Sequence, residues 1–249
     1  MSGHSKWATI KHRKGAADKA RSKLFAKLIR GVEVAAREGG SDLESNATLR
    51  TMYQKARDNS VPLDTIERAI KRGTGELEGV SYEQVSYEGY APHGVAMYVE
   101  VLTDNRNRTL SEIRSVFTRA GGSLAEPGAV AWQFDRRGIV TVPGDVAEDD
   151  VLAAALDAGA RDVVAEGGVW QVTTDPAETM VVRDALEAAG IVVTSADLTY
   201  VAQNAVELTE ASEAKKVMAV LDALDENDDV QGVYANFDVS DDLLESLAG

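Results

Sequence analysis

The chain has 249 residues, is 44% hydrophobic and 27% charged, contains no cysteine and carries a formal net charge of −15. That balance fits a folded chain of two or three domains and excludes a disordered one. The missing cysteines exclude disulfides, thiolate metal sites and cysteine nucleophiles, and no apolar run reaches the ~18 residues a spanning helix needs. The segment Met-Ser-Gly-His-Ser-Lys-Trp at 1–7 lacks the apolar core of a signal peptide, so a cytoplasmic protein is expected.

The net charge conceals a segregation. Residues 1–75 hold 16 Lys and Arg against 8 Asp and Glu, and residues 76–249 hold 10 against 33. Ten bases and only two acids fall within residues 1–37. A polyanion would be drawn to one end of this molecule and repelled by the rest. Solubility accounts for the acidic body but not for the basic end.

Residues 1–15 are rich in Gly, Ser and Lys without apolar periodicity, and they read as an extended arm. Lys6, Lys11, Arg13 and Lys14 can follow phosphates there, and Trp7 and His12 are candidate stacking groups. Trp7 is equally well read as a staple that pins the arm to the body. Residues 16–38 read as a two-faced helix. Projected at about 100° per residue, Leu24, Phe25, Leu28, Ile29, Val32, Ala35 and Ala36 share one face. Lys19, Lys23, Lys27, Arg30 and Arg37 line the opposite one, and Arg21 breaks the pattern by falling in the apolar arc. Two shorter helices follow. The first covers 45–58, with Leu49, Met52, Tyr53 and Ala56 inward. The second covers 62–73, with Pro62 in its first turn, Leu63, Ile66, Ala69 and Ile70 inward and Gly73 as its cap. Helices this short are stable only when packed together, which makes a small helical bundle.

GHSKWATIKHRKGAADKARSKLFAKLIR at 3–30, IERAIKRGTGE at 66–76 and LTDNRNRT at 102–109 closely resemble the YebC/PmpR family, which includes the mitochondrial translational activator of cytochrome c oxidase. The resemblance runs end to end. It implies a three-domain protein whose members are usually described as DNA-binding transcriptional regulators, some acting instead in translation on mRNA or the ribosome. The chain departs from the family pattern in two places. Ala91-Pro92-His93-Gly94 stands where a Gly-rich GPGG-like turn is frequent. Val61-Pro62-Leu63 stands where Met-Pro-Lys is frequent, which removes one cation.

Beyond a Gly-rich link at 73–79 the pattern changes to alternation and β-branched runs. Strands are expected at 82–88, 95–102 and 130–135, with a helix at 107–120. Next come strand 138–142, helix 147–158, strands 162–166 and 169–174, helix 176–189 and strand 191–201, then helix 210–224 and strand 230–237. The middle series is βαββαβ, the ferredoxin-like order. The fold class is therefore α+β: an N-terminal helical bundle followed by two ferredoxin-like α/β sandwich domains, one inserted into the other. The expected domains are 1–78, 79–136 plus 205–249, and 137–204.

At Asp104–Thr109, Arg106 and Arg108 beside a helix N-terminus are secondary phosphate-binding candidates. The preferred reading is that Asn107 or Asp104 caps the helix and the arginines pair with acids. Asp225, Asn227 and Asp229 start like a calcium loop but lack its Gly and distal Glu, so a solvated turn is expected. There is no GxSxG, HExxH or phosphate-loop motif, and two of the three histidines sit in the arm. No metal, no cofactor and no catalytic residues are expected.

The residues thus point to a non-enzymatic nucleic-acid-binding protein, and the resemblance adds regulation of gene expression. The binding set is Lys6, Trp7, Lys11, His12, Arg13, Lys14, Lys19, Lys23, Lys27 and Arg30. DNA and RNA remain open. A short basic prong on an acidic body suits insertion into a ribosomal RNA cleft better than lying along a long duplex, which the body would repel, so a translational activator acting on mRNA or the ribosome is a near-equal alternative. A second alternative is an acidic protein-interaction module. No membrane partner is expected, and a monomer is favoured.

Overall fold

The computed structural model describes residues 17–240 and residue 243, with only the backbone for 17–20. Its elements in chain order begin with α1 (Ala17–Gly39), α2 (Ala47–Asp58) and α3 (Leu63–Gly73). Then come β1 (Glu83–Tyr90), β2 (Ala96–Thr103), α4 (Arg106–Arg119), β3 (Ser123–Leu124) and β4 (Phe134–Pro143). After these lie α5 (Glu148–Asp157), β5 (Asp162–Glu166), β6 (Val169–Thr174), α6 (Thr179–Ala188) and β7 (Ser195–Ala202). The last are β8 (Val206–Glu207), α7 (Ala211–Asp225), β9 (Val230–Ala235) and β10 (Phe237–Asp238). Among the described residues no helix is long and apolar enough to cross a membrane. The architecture is α+β, as expected.

The chain divides into two compact units. One takes the described residues up to Lys27, Val80–Asp135 and the described residues from Val201 onward. Its antiparallel sheet has the order β3-β1-β2-β9. Strands β1 and β2 form a hairpin that pairs Glu83 with Thr103 and Tyr90 with Ala96. Met97, Val99 and Val101 of β2 are fully buried, together with Ile113 and Phe117 of α4 and Val217 and Leu224 of α7. Both helices thus contribute to the core this sheet shares, as layered α+β packing requires. Strands β8 and β10 add a short parallel pair.

The expected strand at 130–135 is replaced by a 3-10 turn at Ala131–Gln133 and the first residues of β4. The cause is Glu88, whose buried carboxylate accepts the backbone N–H groups of Gly128, Val130 and Ala131 at 2.6, 2.6 and 2.8 Å. Donors that converge on one carboxylate cannot extend a ladder. The sheet takes the two-residue β3 instead. Sequence alternation also separated 130–135 from 138–142, whereas β4 runs unbroken from Phe134 to Pro143.

The other unit takes Leu28–Gly79 and Arg136–Tyr200. Its sheet has the order β5-β6-β4-β7, the ferredoxin-like arrangement of a βαββαβ series. Val140, Val142 and Val172 of the sheet pack with Val151 and Ala155 of α5 and Val182 and Leu186 of α6. The helical bundle buries Val32, Ala36, Leu49, Ala56, Val61, Ile66 and Ala69. Asn46 caps α2 by accepting the Leu49 N–H at 3.0 Å, and it donates to the carbonyls of Ala35 and Gly40 at 2.8 Å each. Two ion pairs tie this bundle to the ferredoxin-like part: Arg183 to Asp58 at 2.7 Å and Lys55 to Asp197 at 2.9 Å.

Three local expectations for α3 are corrected. Leu63 is 43% exposed rather than buried, because it opens the helix on its outer side. Pro62 is the N-cap, and the C-cap is Thr74 rather than Gly73. Gly73 is the last helical residue and is buried against the Glu33 carbonyl and the Ala36 side chain of α1, where a Cβ would collide. Close helix approach, not left-handed backbone, explains that glycine.

Candidate nucleic-acid interface

Lys6, Trp7, Lys11, His12, Arg13 and Lys14 lie outside the described residues, as does the side chain of Lys19. The structure does describe the remainder of the cationic stripe. Helix α1 is described from Ala17, and Arg21 and Ser22 are exposed. Arg21 therefore does not face the core despite its place in the apolar arc. Leu28, Val32, Ala35 and Ala36 are buried as their spacing requires, and Arg30 is half-buried.

Lys23 and Lys27 do not form an open cationic face. Lys27 Nζ donates to the Asp225 backbone carbonyl and to Asp225 Oδ1, both at 2.9 Å. Lys23 Nζ donates to the Glu226 carbonyl and lies 3.6 Å from Asp228 Oδ1. These acids and carbonyls belong to the last residue of α7 and the turn after it, where α-helical carbonyls are left without helical partners and the dipole is negative. The Lys27 side chain is only 11% exposed. Further along the helix, Glu33 is buried and pairs with Arg72 at 2.9 Å and with Arg37 at 3.3 Å. Arg57 and Lys71 of the bundle are exposed. The sequence-derived set omitted these two because it was built on one helix face, although the overall charge of residues 1–75 includes them.

The turn that receives the lysines is solvated at Glu226 and Asp228, as expected, but not at Asp229. Asp229 is buried, and its Oδ2 accepts from Thr109 Oγ1 at 2.6 Å, Arg108 Nη2 at 2.7 Å and Thr103 Oγ1 at 3.0 Å. Burial pushes this carboxyl up. The hydrogen bonds from Thr109, Arg108 and Thr103 outweigh it and hold the group below the ordinary aspartate range. Asn227 accepts the Asp229 N–H at 2.9 Å and donates to Glu112 at 2.7 Å.

The 104–109 segment follows the structural of its two readings. Arg108 also bonds Asp104 at 2.8 Å, and its two aspartate partners raise its pKa. The cap is Asn105, accepting the Arg108 N–H at 3.1 Å, rather than Asn107 or Asp104. Arg106 is exposed. Arg108 is thus tied through Nη2 to Asp229 and Asp104, while its side chain stays 44% exposed.

Two family models match the chain. The TACO1/YebC protein N-terminal domain covers residues 5–76, and the TACO1/YebC second and third domain covers 82–237. Similar relatives include proteins from Rubrobacter xylanophilus, 55% identical with all of both chains covered, and Halothermothrix orenii, 53% identical with 99% of each covered. A Streptomyces coelicolor relative is 53% identical, again with 99% of each chain covered. All three carry the name probable transcriptional regulatory protein. A crystal structure of a conserved hypothetical protein from Aquifex aeolicus is 45% identical, with a TM-score of 0.82 over 90% of this chain and 93% of that one.

Proposed function

The chain belongs to the TACO1/YebC family, and from that premise we propose that it is a cytoplasmic, non-enzymatic regulator of gene expression that binds nucleic acid through its basic end. The supporting observation is the charge segregation: 16 Lys and Arg against 8 acids up to residue 75, and 10 against 33 beyond it. In this reading Lys6, Lys11, Arg13 and Lys14 neutralise phosphates, Lys19 and Arg30 extend the track, and Trp7 and His12 stack on bases. Lys23 and Lys27 contribute only when they leave the 225–229 turn. Such contacts position a protein without specifying sequence. The reading treats 1–78, 79–136 plus 205–249, and 137–204 as three domains, the first carrying the interface.

The test is the salt dependence of binding by the full chain. With about six phosphates neutralised on duplex DNA, log affinity falls with log salt at a slope of about −5. Replacing Lys6, Lys11, Arg13 and Lys14 together by Ala flattens the slope by about 3–4 units. An unchanged slope refutes the basic arm as the contact surface. The relatives' names favour DNA. The acidic body favours a prong entering a structured RNA, because a long duplex lying along it would be repelled. Crosslinking in cells separates the two: promoters in the bound fraction support transcription, and ribosomal RNA or mRNA supports translation.

A further inference from the structure

Lys23 and Lys27 point at carboxylates 198 or more residues away in sequence, and the turn carrying those carboxylates is supported by the family-like motif at 102–109, which the proposed binding surface does not use. Resting on the nucleic-acid reading above, we infer that residues 225–229 are an internal polyanion mimic that competes with nucleic acid for Lys23 and Lys27.

The turn offers Lys27 one carboxylate oxygen and one carbonyl, both at 2.9 Å. It offers Lys23 the Glu226 carbonyl and the Asp228 carboxylate. Oxygens spaced to serve two lysines one helical turn apart reproduce what successive phosphates would supply. The turn does not hang loosely. Asp229, directly after Asp228, is anchored by Thr103, Arg108 and Thr109, and Asn227 ties the backbone to Glu112. Thr103 and Thr109 also bond each other at 2.8 Å. The LTDNRNRT segment at 102–109 is therefore the platform of the turn, and its Arg108 is a positioning residue rather than a phosphate ligand. Above the platform the clamp is weak. The Asp228 side chain is 82% exposed, so solvent screens the Lys23 pair strongly; the Lys27 pair, with Asp225 46% exposed and Lys27 11%, is screened only in part. A weak, preorganised clamp yields to a dense polyanion and excludes an isolated anion, which makes occupancy of the interface depend on charge density and on ionic strength.

The test measures binding of the full chain to a short labelled duplex DNA, to a single-stranded RNA and to inorganic polyphosphate as a generic polyanion. Asp225→Asn with Asp228→Asn removes the negative charge facing both lysines and leaves the two carbonyl contacts in place. Affinity at low salt rises about three- to tenfold, as one exposed and one part-buried pair imply, and the salt slope steepens by up to about two units. Glu126→Gln with Glu207→Gln changes net charge equally at exposed sites away from the turn, so its gain stays under about twofold by long-range electrostatics alone. Equal gains in the two double variants overturn the inference. Arg108→Gln gives a second check of opposite sign. It removes a cation, which by net charge weakens binding, yet a slackened turn strengthens it. Weaker binding by a variant of native circular dichroism overturns the platform role. Polyphosphate separates the two readings. If it shows the turn effect while neither nucleic acid binds, the clamp stands and the nucleic-acid reading falls. If DNA or RNA binds through the arm with no turn effect, only the clamp falls.

Discussion

Replacing Glu88 by Gln tests whether a buried carboxylate, rather than strand propensity, shapes the chain after β3. Glu88 is 5% exposed and accepts three backbone N–H groups at 2.6–2.8 Å. A glutamine of the same shape has one acceptor oxygen. Placed where Oε2 now sits, that oxygen keeps Val130 and Ala131 as neutral partners, while its NH2 group faces the N–H of Gly128. The part-buried Gly128 N–H left facing a donor costs about 1–3 kcal/mol, and loss of charge assistance in the other two bonds adds about 1 kcal/mol. The expected destabilisation is about 2–4 kcal/mol, which lowers the melting temperature by about 5–15 °C. Urea unfolding read by tryptophan fluorescence is a suitable assay, because Trp132 follows the clasped segment directly and bonds the Ala129 carbonyl at 3.1 Å. The variant has a second signature in pH. Burial pushes the Glu88 carboxyl up, but the N–H groups of Gly128, Val130 and Ala131 prevail and lower it. A group whose folded-state pKa is depressed stabilises the fold above its unfolded-state pKa and loses that contribution as pH falls through the folded one. The wild type therefore sheds this stability on the acid side of the ordinary glutamate range, and Glu88→Gln has a flatter acid limb. A variant within about 0.5 kcal/mol of wild type, with the same acid limb, refutes the reasoning, since surface-like changes fall in that range.

Asp58→Asn removes the bidentate partner of the Arg183 guanidinium, whose side chain is 7% exposed, leaves it Glu187 at 3.0 Å, and is expected to cost about 1–3 kcal/mol. Arg183→Met, which removes the buried charge itself, costs less, and chemical unfolding of the pair of variants orders them. Asn46→Ala removes the α2 cap and two bonds to the end of α1, lowering stability by about 2–3 kcal/mol in the same assay. His93→Gly is expected to stabilise by about 0.5–1 kcal/mol. His93 sits at φ 66°, ψ 15°, a left-handed conformation that costs a non-glycine residue about 1–2 kcal/mol, partly offset by the backbone entropy glycine loses on folding. A lower melting temperature for that variant would show that the His93 Nδ1 contact with Glu213 at 3.3 Å outweighs the strain.

The amino-acid order alone determined the features that depend on near neighbours. Apolar spacing placed α1, α2 and α3 and most of their buried residues, alternation placed β1, β2 and the βαββαβ series, and composition separated a basic end from an acidic body. Position 104–109 was legible as a capped helix start with Arg108 paired to acids, although the cap falls on Asn105 and Arg106 is exposed. The fate of Lys23 and Lys27 was decided only by the tertiary structure, because periodicity fixes which way a side chain leaves its helix and says nothing of what stands there. Their partners lie about two hundred residues onward, in a turn whose acids look solvated in sequence and are ordered by a buried Asp229. The same holds for Glu88, which reads as a polar residue in a strand and instead gathers three N–H groups from a segment forty residues later. Local pattern registers hydrophobicity at fixed intervals. Charge pairing and hydrogen bonding across long loops depend on which surfaces the core brings together, and that is a property of the folded chain as a whole.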